Sequence, residues 1–218
     1  MLTPEEGRVL GCLVEKQLTT PQLYPLTDNA LIAACNQTTS RDPVVQYDLT
    51  AVRVAVRSLR EQGVLRTVHR SGERSEKHRH ELAAALGLPP EQVAVLAVLL
   101  LRGPQTAAEL RARTERMHPF VSVAEVEDAL AALADRDEPL VVRLPRQAGR
   151  REDRFAEVLV DSCADRPVGG TALDVANEVV ERPTAARPRG VLAELAAGVA
   201  ALREEVAALR AEVAALRP

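Results

Sequence analysis

Aromatic side chains are nearly missing from this chain. Tyr24, Tyr47, Phe120 and Phe155 are the whole set among 218 residues, and there is no tryptophan. That argues against a base-stacking platform of the kind that grips single-stranded nucleic acid. Cysteine is sparse as well: Cys12, Cys35 and Cys163 are odd in number, widely spaced and without a CxxC pair. A disulfide framework and a zinc site are both disfavoured, and a reducing cytoplasm fits. No apolar run is long. Val93 to Leu101 is about half of what a bilayer span needs, and the N-terminus lacks a basic-then-apolar secretion signal. The expectation is a soluble cytoplasmic protein that makes no membrane contact. An excess of positive charge is also lacking, since 28 basic residues face 31 acidic ones, so any nucleic-acid site must be a local patch. Gly-rich phosphate loops, paired catalytic carboxylates and nucleophile elbows do not occur. No enzymatic activity and no cofactor are expected.

What is present centres on Asp48 to His80. Asp48 caps, Leu49 to Gln62 has helical periodicity, and Gly63 stops it. Val52, Val56 and Leu59 share one face by the i, i+4, i+7 rule. Arg53, Arg57 and Arg60 repeat that spacing one residue round, so three guanidinium groups line a second face. Val64 to Val68 follows as a strand, Ser71-Gly72-Glu73-Arg74 turns, and Ser75 to His80 returns. A helix with a basic exposed stripe followed by a hairpin is the recognition half of a winged helix.

Upstream, Thr3-Pro4-Glu5-Glu6 is a capping-box helix start. Val9, Leu10, Leu13 and Val14 supply a buried stripe as far as about Lys16. Pro21 and Pro25 force an extended connection, and Thr27 or Asp28 caps a second helix from Asn29 to about Asn36. The order is helix, helix, helix, hairpin. At Gly87 it restarts. Val9, Leu10 and Leu13 align with Val95, Leu96 and Leu99, and Val52, Ala55, Val56 and Leu59 with Val126, Ala129, Leu130 and Leu133. Thr106-Ala107-Ala108-Glu109 and Ser122-Val123-Ala124-Glu125 are further capping boxes. The second copy's third helix spans Ser122 to Glu138. Its hairpin runs Leu140 to Leu144, turns at Gln147-Ala148-Gly149, and returns from Asp153 to Val160. The fold class is therefore mainly α with small β-hairpins, as two tandem winged-helix domains over 1–86 and 87–160.

Residues 161–190 change composition, with Gly169-Gly170, Pro167, Pro183 and Pro188, and are expected to be a linker whose ends lie roughly 30 Å apart as a flexible coil. From 191 to 218 the chain carries Leu192, Leu195, Val199, Leu202, Val206, Leu209, Val213 and Leu216 in unbroken 3-4 spacing. Val at a and Leu at d favour a two-stranded parallel coiled coil. In that pairing Glu205 meets Arg210 of the partner chain in the dimer, and Glu212 meets Arg217. The rod would be about 37 Å long. A homodimer is expected; the alternative is an amphipathic helix folded back on its own chain.

Certain strings resemble the YceH-like family of bacterial proteins. They are Leu10-Gly11-Cys12-Leu13-Val14-Glu15-Lys16-Gln17, Thr19-Thr20-Pro21, Tyr24-Pro25-Leu26, Ala34-Cys35-Asn36-Gln37 and Arg41-Asp42-Pro43-Val44, and in the second copy Leu99 to Thr106, Arg116-Met117-His118 and Leu144-Pro145-Arg146. The resemblance covers residues 2 to about 160. It implies a pair of winged-helix domains of uncharacterised function. Thr38 and Asp28 depart from it, standing where members tend to carry Lys and Leu.

For double-stranded DNA the candidate contacts are Thr50, Arg53, Arg57 and Arg60 on the third helix, and Arg70, Arg74, Lys77 and Arg79 on the wing (65–80). Arginines on a helix in the major groove read guanine edges bidentately. Residues 41–80 carry nine basic and five acidic residues, whereas 1–40 carry two and four. The second copy differs: Glu125, Glu127, Asp128, Asp135, Asp137 and Glu138 oppose Arg136 alone on its third helix, which the duplex would repel. A protein partner is favoured there. His78-Arg79-His80 places two imidazoles on one strand face without a third metal ligand, and a solvated wing is expected. His118 is expected to pack with Met117 and Phe120 at a domain junction, Glu15-Lys16 to form a helix-end ion pair, and Cys12 and Cys35 to be packed thiols. The expected function is a dimeric transcriptional regulator. The alternative is a protein–protein adaptor with tandem winged helices, resembling chromosome-segregation accessory proteins at the level of fold alone.

Overall fold

Thr3 opens the first helix. Its hydroxyl accepts the Glu6 N–H at 3.2 Å, and the Glu6 carboxylate accepts the Thr3 N–H at 2.9 Å. Pro4 at the first helical position needs no partner for an amide it lacks. The computed structural model describes residues 1–69, 75–145 and 152–161. In chain order these form α1 (Pro4–Thr19), a 3-10 turn (Pro21–Leu23), β1 (Leu26–Thr27), α2 (Asp28–Cys35), α3 (Leu49–Glu61), β2 (Leu65–Val68) and β3 (Lys77–His80). After α4 (Leu82–Leu86) come α5 (Pro90–Arg102), α6 (Ala107–Thr114), α7 (Val123–Ala134), β4 (Val141–Arg143) and β5 (Phe155–Glu157). The fold is mainly helical with small antiparallel sheets.

Most boundaries follow the local chemistry of the chain. Thr27, rather than Asp28, caps α2, accepting the Ala30 N–H at 3.3 Å, and Asp48 caps α3 through Ala51 at 2.8 Å. Thr106 and Glu109 form the expected reciprocal box. Ser122 does so only by half: its hydroxyl takes the Glu125 N–H, but the Glu125 carboxylate reaches past it to the Val121 N–H at 2.9 Å. The first helix runs a turn beyond the expected Lys16, because Thr19 and Thr20 bond back to the carbonyls of Glu15 and Lys16 before Pro21 halts it. The seventh stops at Ala134 instead of Glu138. Asp135, Asp137 and Glu138 would have put three carboxylates at the negative end of its dipole.

The two sheets differ in size. β1 and β2 flank β3, in the order β1-β3-β2, all antiparallel, with Leu26 and Thr67 both facing His78 and Leu65 facing His80. β4 pairs with β5 alone, Val142 against Ala156. The place β1 holds is filled in the second half by one residue, as Gln105 and Phe155 exchange both backbone hydrogen bonds at 3.0 and 2.8 Å. Every aligned apolar position is buried in both halves: Val9, Leu10 and Leu13 with Val95, Leu96 and Leu99, and Val52, Ala55, Val56 and Leu59 with Val126, Ala129, Leu130 and Leu133. Cys12 and Cys35 are free thiols inside this core. Phe120 is buried too, with the His118 ring set edge-on to it at 4.7 Å.

One continuous core joins the halves. α1 packs along α5 with Gly7 and Gly11 on the contact side. A Cβ at Gly7 would stand 2.5 Å from Val160, and one at Gly11 would stand 3.0 Å from Leu101. Leu2 pairs in parallel with Val160, donating to the Leu159 carbonyl at 2.7 Å and accepting from Asp161 at 2.8 Å. Among the described residues no helix is long and apolar enough to cross a membrane. The expected coiled-coil helix (191–218), the expected linker beyond Asp161, the tips of both wings and Cys163 lie outside the described residues.

Candidate nucleic-acid interface

α3 turns Val52, Ala55, Val56 and Leu59 into the core, so its opposite side faces solvent. That side carries Thr50, Arg53, Val54, Arg57 and Arg60, all exposed. The three arginines stand where their spacing puts them. They are not equivalent. Arg53 Nε donates to Asp28 Oδ2 at 2.8 Å, although its side chain stays 61% exposed. Arg57 and Arg60 form no ion pair among the described residues, which leaves two guanidinium groups open at the front of the helix.

The Asp28 carboxylate is shared. Its other oxygen accepts the Nε2–H of His78 from β3 at 2.7 Å, and His78 Nδ1 is hydrogen-bonded to the Thr67 hydroxyl of β2 at 3.1 Å. A chain of polar contacts therefore runs from the hairpin through the start of α2 to α3. Burial pushes the Asp28 carboxyl up, but the hydrogen bonds from His78 and Arg53 outweigh it and hold its pKa below the ordinary range.

The wing is less open than its composition implied. His78 and His80 face inward and are buried, contrary to the solvated wing expected of them. Strand alternation puts positions 78 and 80 on one face, and that face packs toward α1 and α2, where Gln17 and Asp28 meet the two rings. His80 Nε2 bonds the Gln17 side chain, its backbone N–H donates to the Tyr24 hydroxyl at 2.7 Å, and Nδ1 is buried with no partner among the described residues. Burial accordingly lowers the His80 pKa to about 4. The alternate positions point outward. Arg79 is gathered onto Glu81 at 2.6 Å, Arg66 approaches the same carboxylate at 3.6 Å, and Lys77 is half-buried and engaged. Arg70 and Arg74 lie outside the described residues. Arg41, which belonged to the basic excess counted for 41–80, is withdrawn from the surface altogether. Its side chain is fully buried, clamping both oxygens of Glu15 at 3.0 and 2.7 Å. Lys16 is the lesser partner of Glu15, at 3.3 Å.

In the second half the corresponding surface has opposite character. Glu125, Glu127 and Asp128 are exposed along α7. Between α7, the start of α6 and the hairpin lies a groove of about 630 Å³, with Ala131, Ala134 and Phe155 among its apolar lining and Glu127 and Glu152 among its acidic residues. Arg143, the basic residue there, is paired with Asp153.

A three-helix-plus-hairpin order with a small antiparallel sheet is consistent with the winged-helix-like class. Comparison with known proteins assigns the family. The model described as "Protein of unknown function, DUF480" matches residues 2–150, and the chain belongs to that family. It is 54% identical to a UPF0502 protein of Pelobacter propionicus over 159 residues, 73% of this chain and 72% of that one. It is 55% identical to a UPF0502 protein of Geobacter metallireducens over 154 residues, 71% and 70% of the two chains. With a UPF0502 protein of Leptothrix cholodnii the similarity spans 201 residues at 45% identity, 89% of each chain.

Proposed function

We propose that the two halves are tandem winged-helix domains of the YceH-like kind, residues 1–86 and 87–160, and that the first binds double-stranded DNA. The observation that carries this reading is the solvent face of α3. Arg57 and Arg60 stand there without ion pairs among the described residues, Arg53 and Thr50 flank them, and the whole row lies opposite the buried stripe. A helix of this kind enters the major groove, where the arginines meet guanine edges and the Val54 methyls meet thymine. The hairpin, held to α2 and α3 through His78 and Asp28, would follow the phosphate backbone. Joined by the linker 161–190 to a parallel coiled coil over 191–218, two such chains would address two half-sites. The protein in this reading is a cytoplasmic transcriptional regulator without catalytic activity.

The test is retention on heparin and on mixed-sequence duplex at low salt, followed by affinity as a function of salt. The logarithm of affinity should fall with the logarithm of salt by about 0.9 per phosphate neutralised. Failure to bind either matrix rejects the reading. Deleting residues 191–218 should halve the mass seen in light scattering, and an unchanged mass rejects the dimer.

A second reading draws on the second half. The acidic α7 and its groove with an apolar lining suit another polypeptide better than a duplex. An adaptor of this kind would bind protein and would not select a DNA sequence.

A further inference from the structure

Where the two halves meet, the end of α5 and the C-terminal part of α6 with the turn after it face the end of α1 and the loop after α2. They flank an open recess of about 280 Å³. Three arginines of the second half line it, Arg102, Arg113 and Arg116, and the first half adds Glu15 and Ser40. The charges do not cancel. Both oxygens of Glu15 are taken by Arg41, with Lys16 close by. Among the described residues Arg113 reaches only Glu109, at 3.7 Å. That carboxylate already holds Arg154 at 3.2 Å and caps Thr106 at 2.9 Å. Glu115 is the one other acid in the lining, and it is exposed. Among the described residues Arg102 and Arg116 make no side-chain hydrogen bond or ion pair.

Arg102 is the most telling of the three. Burial, and after it the like charges of Arg113 and Arg41, lower its pKa, against the weaker opposing fields of Glu15 and Asp42. The Arg102 and Arg113 charges repel one another in a partly desolvated recess, Arg116 adds a third positive charge to its lining, and an anion there relieves the repulsion. Guanidinium forks match phosphoryl oxygens in geometry as well as in charge. Ser40, also in the lining, sits at φ 59°, in the left-handed region that non-glycine residues seldom occupy. The volume falls just below the roughly 300–1,000 Å³ of drug-sized sites. It has room for a phosphoryl group on a small organic body.

We propose that this pocket between the halves binds a small phosphorylated ligand through Arg102, Arg113 and Arg116, separately from the α3 face. The proposal does not depend on DNA binding, because none of its residues lies on α3 or the first wing. Since the lining comes from both halves, occupancy also stabilises the fold.

The experiment uses the full chain at constant ionic strength, with inorganic phosphate and then glycerol 3-phosphate as probes, read by calorimetry and thermal unfolding. Saturable binding is expected, with a rise in melting temperature that chloride does not reproduce. Arg116→Gln, and Arg102→Gln with Arg116→Gln, should weaken it about tenfold or more, as removal of charge-assisted bidentate hydrogen bonds does. Arg57→Gln with Arg60→Gln should leave it unchanged. Arg116 is exposed, so the single variant remains informative if replacement of Arg102 impairs folding. Absence of saturation with both probes, equal binding by the Arg116→Gln variant, or equal loss in the α3 variant overturns the site. Displacement of phosphate by an oligonucleotide duplex assigns the pocket to nucleic-acid backbone instead, and overturns the small-ligand assignment.

Discussion

Asp28 and His78 lie fifty positions apart in the chain and 2.7 Å apart in the fold, and that contact locks the wing to the helices it must act with. Replacing Asp28 by Asn keeps the shape but weakens two charge-assisted hydrogen bonds, those from His78 and from Arg53. A loss of about 1–3 kcal/mol is expected near neutral pH. The carboxyl is held below its ordinary value of 3.8. A lowered carboxyl pKa contributes stability above the unfolded value and loses it as pH falls through the folded one. Denaturant titrations of parent and Asp28→Asn should therefore differ at pH 7 and converge below pH 3.8. A constant difference across that range would assign the effect to shape rather than to charge.

His80 gives a second pH dependence, in another window. The ring is packed between Gln17 and Tyr24 with Arg79 and Glu81 alongside, and its pKa is lowered to about 4 from 6.5. Protonation would put a proton on Nδ1, which has no acceptor among the described residues. Here the unfolded chain takes up the proton first. Stability is complete above pH 6.5 and declines from there to about pH 4, by roughly 3 kcal/mol at most. Urea titrations at pH 7, 6 and 5 should follow that decline. In His80→Gln the slope should flatten over the same interval even if the variant is less stable throughout.

The apolar frame was legible in the sequence because it is periodic, and periodicity is local. Val52, Val56 and Leu59 declare a face by their spacing alone, as do Thr3 and Asp48 their caps. What escaped is long-range. β1 is two residues, Leu26 and Thr27, with no strand signal of their own; they are extended because β3, some fifty residues on, offers a free edge. His78 and His80 turn inward onto Asp28 of α2 and Gln17 of α1, fifty and more positions away, so the burial of two ionisable rings was decided by distant segments. Arg41 is the sharpest case. Its neighbours Ser40 and Asp42 suggest a surface loop, but Glu15 waits one helix away, and removing one partner of a buried pair of this kind costs several kcal/mol. The pocket of Arg102, Arg113 and Arg116 was invisible for a similar reason, since it exists only where two halves meet.

Gly7 tests how tightly those halves are joined. In a helix interior, Gly→Ala normally gains about 1 kcal/mol. At Gly7 the added methyl would overlap Val160, and overpacking costs about 1–3 kcal/mol. The expected outcome is a net loss for Gly7→Ala, seen as a lower melting temperature. Combining it with Val160→Ala, which removes the colliding methyl, should recover the propensity gain, so that the pair of changes is more favourable than their sum. Strict additivity would mean that the close approach of α1 to Val160 carries no energetic weight.

The unequal arginines of α3 predict unequal effects on a duplex. Arg57 and Arg60 have no partner to give up among the described residues, so each removed by change to Gln should reduce the salt slope by about 0.9 if it neutralises one phosphate, or relax base preference at one position if it reads an edge. Arg53 must share its guanidinium with Asp28, and its removal also strips Asp28 of a counter-charge facing the groove. Arg53→Gln should for that reason weaken binding more than Arg57→Gln, because it leaves the Asp28 charge uncompensated in addition to removing a guanidinium from the duplex. Asp28→Asn should move the other way, strengthening binding a few-fold at low salt while lowering stability, because it deletes a negative charge beside the phosphates. Fluorescence anisotropy on a labelled duplex across salt concentrations reads all four variants. Equal affinities for Arg57→Gln, Arg60→Gln and the parent would remove α3 from the interface.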